Sequence, residues 1–145
     1  MIDADRSYDL SRFVTAQQDV YPRALAELHA GDKRSHWMWF IFPQIAGLGR
    51  SHMARLYAIR DLDEARAYLV HPVLGSRLGE CTAAVLAHAD TRTAEAIFGG
   101  IDSVKLRSSM TLFEAAGGGE PFAQLLDAFF AGTHDAETLR LLQRG

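Results

Sequence analysis

The sequence predicts an all-α fold, a single compact domain of about seven or eight short helices with no sizeable sheet. Three observations carry that expectation. Apolar residues recur at spacings of three, four and seven along most of the chain. Alternation of apolar and polar residues is nowhere sustained, and no Asn-Gly or Asp-Gly hairpin turn occurs. Glycine and proline punctuate the chain where helices should stop and start.

The elements follow in order. Leu10, Phe13, Val14 and Gln17 share one helical face, with Ser7 or Asp9 as the N-cap. Pro22 breaks or kinks this helix, and Tyr21 to Ala30 forms a second piece that ends at Gly31. Phe40 to Ile45 is read as extended, because Pro43 disfavours helix at Phe42. Asp61 with Glu64 has the spacing of a capping box and opens a helix bearing Leu62, Ala65 and Leu69. Pro72 suits the first turn of the next helix, where Leu74, Leu78, Cys81 and Val85 make one buried stripe. A short helix over Thr93 to Phe98 stops at Gly99-Gly100. Another runs from Ile101 to Ala116, with Leu106, Met110 and Phe113 in register, and ends at Gly117-Gly118-Gly119. Pro121 starts a helix carrying Phe122, Leu125, Leu126, Phe129 and Phe130, and Asp135 to Gln143 forms the last. Residues 1–145 are read as one domain, with 1–7 loosely ordered.

Composition agrees with a globular domain. The 145 residues are 48% apolar and 23% charged, with mean hydropathy −0.05. A chain of this length can bury close to 70% of its unfolded surface, so it needs neither staple nor metal. No apolar run approaches the ~20 residues of a membrane span. Met1 to Tyr8 is polar and acidic, unlike a secretory leader. The single Cys81 excludes an internal disulfide and every multi-cysteine zinc site, and points to a reducing cytoplasm. The six histidines show no paired metal-ligand spacing, and no cofactor is implied.

Charge is unevenly placed. The formal net charge is −3, yet Lys33 to Arg60 contains no Asp or Glu. That stretch carries Lys33, Arg34, Arg50, Arg55 and Arg60, for a local charge of +5 against −8 elsewhere. A one-signed segment attracts an anion, unless its cations point apart and pair with acids elsewhere in the chain. Both tryptophans lie in it, beside Phe40 and Phe42. Trp37 and Trp39 fall on different faces of any helix or strand. One is expected in the core, and the other needs a partner for its N–H or a ligand to cover it. The aromatic cluster is read either as core anchors or as the wall of a pocket that includes Gln44.

Gly47-Leu48-Gly49-Arg50-Ser51 reads as a loop entering a helix with Ser51 as N-cap. Gly49, Arg50 and Ser51 have the chemistry for an anion, but a plain turn and cap explains them equally. The segment matches neither a Walker loop nor a Rossmann fingerprint. On the later helix Asp102, Lys105 and Ser109 share a face at i, i+3 and i+7. They form either a salt bridge with small serines at a helix contact or the far side of an anion pocket with Arg50. A Ser109–Lys105 catalytic dyad finds no nucleophile elbow or oxyanion loop to support it.

YDLSRFVTAQ (Tyr8 to Gln17), SHWMWFIFPQIAGLGRS (Ser35 to Ser51), YLVHPVLGSRL (Tyr68 to Leu78) and IFGGIDSVKLRSSMTLF (Ile97 to Phe113) together resemble a bacterial family of small uncharacterised proteins. This domain of unknown function sometimes carries a calpastatin-like label. The resemblance spans about Tyr8 to Phe130 and implies a helical single domain without an established activity. Calpastatin inhibitory segments are disordered, unlike a chain of this composition. A fainter resemblance is to NADAR-type N-glycosidases, which cleave N-glycosidic bonds in ADP-ribose-like or riboflavin-pathway metabolites. Phe13 to Gln17, Gly49-Arg50 and His71-Pro72-x-Leu74 carry it. The acid that family places ahead of its Ala-Gln segment has no counterpart here, where Ser11 or Arg12 falls. Asp9 is the nearest stand-in, and no catalytic residue transfers.

The reading is therefore a domain that binds a small anionic, nucleotide-like ligand through Trp37, Trp39, Gln44, Gly49, Arg50, Ser51, Asp102, Lys105 and Ser109. The alternatives are an N-glycosidase using Asp9 or Asp102, and a non-catalytic interaction domain using the Trp/Phe segment. The isoelectric point near 6.0 gives no reason to expect nucleic acid, no membrane partner is expected, and no protein partner is identified.

Overall fold

The computed structural model describes residues 8–144. Residues 1–7, Ser7 among them, and Gly145 lie outside that range. Nine helices occur among the described residues: α1 Ser11–Gln18, α2 Tyr21–Ala30, α3 Met38–Ile41, α4 His52–Leu56, α5 Leu62–Val70, α6 Leu74–Leu86, α7 Ala94–Ala115, α8 Glu120–Phe130 and α9 Ala136–Arg144. The long α7 packs on α8, α5 and α9, while α6 joins α2, α5 and α8. No strand forms among them. The nearest approach is one isolated parallel bridge between Ile45 and Ile59.

Most boundaries follow the sequence signals. Gly31 ends α2 in the left-handed conformation (φ 70°), where a side chain would be strained. The Asp61 carboxylate accepts from the Glu64 backbone N–H at 2.9 Å and opens α5. Glu64 does not close the box on Asp61. Its carboxylate takes the Arg60 N–H at 2.6 Å and the Arg12 guanidinium at 3.2 Å instead. α7 is broken at Gly99 (φ 83°, ψ 166°), so the expected stop at Gly99-Gly100 appears as a kink between two helical segments.

Three details differ from expectation. Leu10 caps α1 without a side-chain bond, because the Asp9 carboxylate is engaged by the Ser11 hydroxyl. Pro72 stays in the turn before α6, which begins at Leu74. There His71 Nδ1 accepts from the N–H groups of Val73 (3.1 Å) and Leu74 (3.2 Å), so the imidazole does the capping. Phe40 and Ile41 are helical, and the chain extends only from Phe42. The constraint from Pro43 reaches back one residue, no further.

The core is aromatic along its length. Phe13 meets Tyr68 edge-on at 5.2 Å, Tyr68 meets Phe113 at 5.3 Å, and Phe113 meets Phe122 at 5.9 Å. A second group joins Trp37, Phe42 and Phe98. Leu74, Leu78, Cys81 and Val85 are buried as the spacing requires. Gln17 is buried too, and its amide donates to the Phe40 carbonyl at 2.7 Å and accepts from Arg77 at 3.3 Å. These contacts fix α3, and with it both indoles, against α1.

Candidate functional site

Three of the sequence-predicted residues converge on a cleft between the α2–α3 loop and the break in α7. Lys33 and His36 come from the loop, Met38 and Trp39 from the start of α3. Phe98, Gly99 and Gly100 come from the break, and Ile101, Asp102 and Lys105 from the turn after it. The cleft encloses about 390 Å³, within the range of small-molecule sites.

Glu27 on α2 holds the loop in place. Its carboxylate accepts from the N–H groups of Arg34 (2.9 Å) and Ser35 (3.0 Å), the Ser35 hydroxyl (2.5 Å) and the Trp37 indole N–H (2.9 Å). Burial raises the Glu27 pKa, but the Ser35 hydroxyl, the two backbone donors and the indole outweigh it and lower the carboxyl to about 2. The Lys33 N–H donates to the Ile97 carbonyl at 2.8 Å, which ties the loop to the first segment of α7. The lining is thus built before any ligand arrives.

Asp102 joins the two sides. Its Oδ2 lies 2.9 Å from Lys33 Nζ and its Oδ1 lies 3.5 Å from Lys105 Nζ. Two ammonium groups against one carboxylate leave one positive charge in surplus. The lysines differ in availability. Lys33 also donates to the Ser35 carbonyl at 2.6 Å, and its side chain is only 7% exposed. Lys105 is 26% exposed and sits 5.2 Å over the Trp39 ring. Lys33 is committed to the scaffold, and Lys105 faces the cleft with a charge to offer.

Of the nine sequence-predicted residues, Trp39, Asp102 and Lys105 meet here. Trp37 is fully buried with its N–H satisfied, which makes it the core anchor of the pair. Gln44 is half-buried and contributes its carbonyl to Ile59 N–H at 2.9 Å, beside the bridge. Gly49, Arg50 and Ser51 are exposed and do not line the cleft. The Ser51 hydroxyl accepts from Ala54 N–H at 3.1 Å and caps the five-residue α4. Ser109 is buried in the core, and its hydroxyl has no partner. It shares a helical face with Asp102 but stands about 10 Å further along the axis, past the end of the cleft.

Sequence reasoning overlooked Glu27, and it noted Lys33 only as one charge of the basic stretch. The basic stretch takes its counter-ions from Asp32 and Asp102, while Glu27 serves neutral donors, a role no charge pattern announces. Cys81 is no nucleophile. Burial pushes its thiol up, against a lowering contribution from Tyr21, to about 12. Among the described residues no group of three or more His, Cys, Asp or Glu could hold a metal, and no helix is long and apolar enough to cross a membrane.

Comparisons with known proteins match this architecture. A family model described as a protein of unknown function (DUF1810) covers residues 7–142. The crystal structure of the conserved hypothetical protein Rv1873 from Mycobacterium tuberculosis is 49% identical, with 94% of this chain and 98% of that chain covered and a TM-score of 0.91. No curated protein matches the chain.

Proposed function

The chain belongs to the DUF1810 family of proteins of unknown function, and within that family we propose that it binds a small anionic, nucleotide-like ligand in the Trp39–Lys105 cleft. The observation that carries this reading is the partly exposed Lys105 ammonium over a half-buried indole, in a cleft with one positive charge in surplus. The ammonium supplies the anion contact, and Trp39 supplies an aromatic surface for a flat ring. A docking role for the aromatic segment has less support. Trp37, Phe40 and Phe42 are all buried, and Trp39 is half-buried and lines the cleft. Of the two acids weighed for glycosidic chemistry, Asp9 lines a separate hollow with Tyr8 and His71. Asp102 is in the cleft, but both of its oxygens face lysine ammonium groups, which suits a counter-ion better than a base that activates water.

Calorimetric titration with adenosine monophosphate tests the reading. Wild type is expected to bind, and Lys105→Ala and Trp39→Ala each to weaken binding by about tenfold or more, the worth of one charge-assisted contact or one stacked ring. Absence of binding by wild type would remove the proposal. Release of free base from the nucleotide would move the protein to the N-glycosidase class.

A further inference from the structure

A second hollow adjoins the cleft. It encloses about 440 Å³ and is lined by Asp19, Val20, Arg23, Arg34, Ser35 and His36. His36 lines both hollows, so the ridge between them is the Lys33–His36 loop. That ridge is the segment Glu27 fixes from beneath.

The second hollow carries two guanidinium groups against the Asp19 carboxylate. Arg23 is exposed and makes no ion pair or hydrogen bond among the described residues. Arg34 holds Asp32 at 2.8 Å, but its side chain is 78% exposed, so the pair is weak and the guanidinium can turn to a stronger anion. A guanidinium fork matches a phosphate in geometry as well as charge. His36 is common to both linings, so a ligand seated in the cleft borders the second hollow across that one side chain.

We propose that the two hollows form one bipartite site for a nucleoside polyphosphate. The ring lies on Trp39 beside Lys105, and the phosphate tail crosses His36 into the Arg23–Arg34 hollow. This rests on the cleft reading above and adds the ligand class to it. Each hollow alone is at the small end for a ligand site, and only the second offers an unpaired guanidinium. The division of labour follows: the cleft recognises what all such nucleotides share, and the second hollow reads the length of the tail.

The test is calorimetric titration of wild type with AMP, ADP and ATP in magnesium-free buffer at one ionic strength. Affinity is expected to rise along that series, by about tenfold from AMP to ATP, as charge-assisted contacts are added. The double variant Arg23→Ala/Arg34→Ala should bind AMP as wild type does and lose most of the preference for ATP. Lys105→Ala should weaken all three alike. Arg50→Ala/Arg55→Ala removes the same charge from exposed positions outside both hollows and should keep the preference. If AMP binds but the Arg23/Arg34 variant keeps the wild-type preference, the bipartite site is wrong and the cleft reading stands. If the Arg50/Arg55 variant loses the preference equally, the effect is the general field of the protein and the bipartite site is again wrong. If none of the three nucleotides binds, the cleft reading itself fails.

Discussion

Two loops of this chain carry cations toward a short helix, residues 31–37 ahead of α3 and residues 46–51 ahead of α4, and they differ in what holds them. The first has an acid beneath it. Glu27 gathers two backbone N–H groups, a hydroxyl and an indole, and the loop presents Lys33 and His36 to a cleft. The second has one side-chain cap, Ser51, and presents Arg50 to solvent. The glycines differ as well. A Cβ on Gly49 would meet the Ala54 Cβ at 2.5 Å, so that glycine is there for the loop to pack on its own helix. A Cβ on Gly31, at the head of the first loop, would meet the Arg92 side chain at 2.9 Å, and its φ of 70° would itself strain any other residue. Cations and glycines in sequence thus describe both loops equally well. The half-buried Glu27 carboxylate, with its four neutral donors, separates a built lining from a surface turn.

The largest expected effect comes from removing that carboxylate charge. Glu27→Gln keeps the shape but loses the charge that four donors share, and should cost about 2 kcal/mol of stability at pH 7, measured by urea unfolding. The sign with pH follows from the lowered carboxyl. Its folded pKa is about 2, below the ordinary value near ~4.3. Its contribution is therefore present above about pH 4.3 and is lost as pH falls through about 2. The gap between wild type and variant should narrow over that window. A gap that stays constant down to pH 2 would mean the donors do not need the carboxylate charge, and the contrast between the loops would rest on packing alone.

The helices were legible because each depends on neighbours three or four residues apart. Leu74, Leu78, Cys81 and Val85 announce their own burial, and Gly31 and Gly99 announce their own breaks. Asp102 and Lys105 were legible for the same reason, as an i, i+3 pair that is realised at 3.5 Å. The rest of the cleft was not. The Lys33–Asp102 pair joins positions 69 apart, and no local period encodes such a contact. Ser109 shows the opposite failure. Its face was read correctly, but its depth depends on where the cleft closes, which only packing decides. The choice between Trp37 and Trp39 was likewise open until Glu27 supplied a partner for one indole.

A smaller effect should mark the second loop. Ser51→Ala removes the hydroxyl that accepts from Ala54 N–H, worth about 1 kcal/mol for an N-cap. On a helix of only five residues the loss should stay local. Thermal unfolding should fall by a few degrees, about 2–6 °C for a domain of this size, while AMP affinity remains that of wild type. A Ser51→Ala variant that weakened AMP as strongly as Lys105→Ala would place the second loop at the ligand after all and erase the contrast.

The smallest effect is the most discriminating. Arg50 is exposed on the loop that looked most like an anion site in sequence, and it lines neither hollow of the proposed site. Arg50→Ala should change stability by no more than about 0.5 kcal/mol, as surface substitutions do. It should leave AMP affinity unchanged at physiological salt, where the field of an exposed charge is screened within about 8 Å. At low salt a modest loss common to AMP, ADP and ATP is expected, because screening is then weaker. That salt dependence separates a distant charge from a contact. A loss at physiological salt that matches Lys105→Ala would require Arg50 to reach the bound anion directly, although it lines neither hollow.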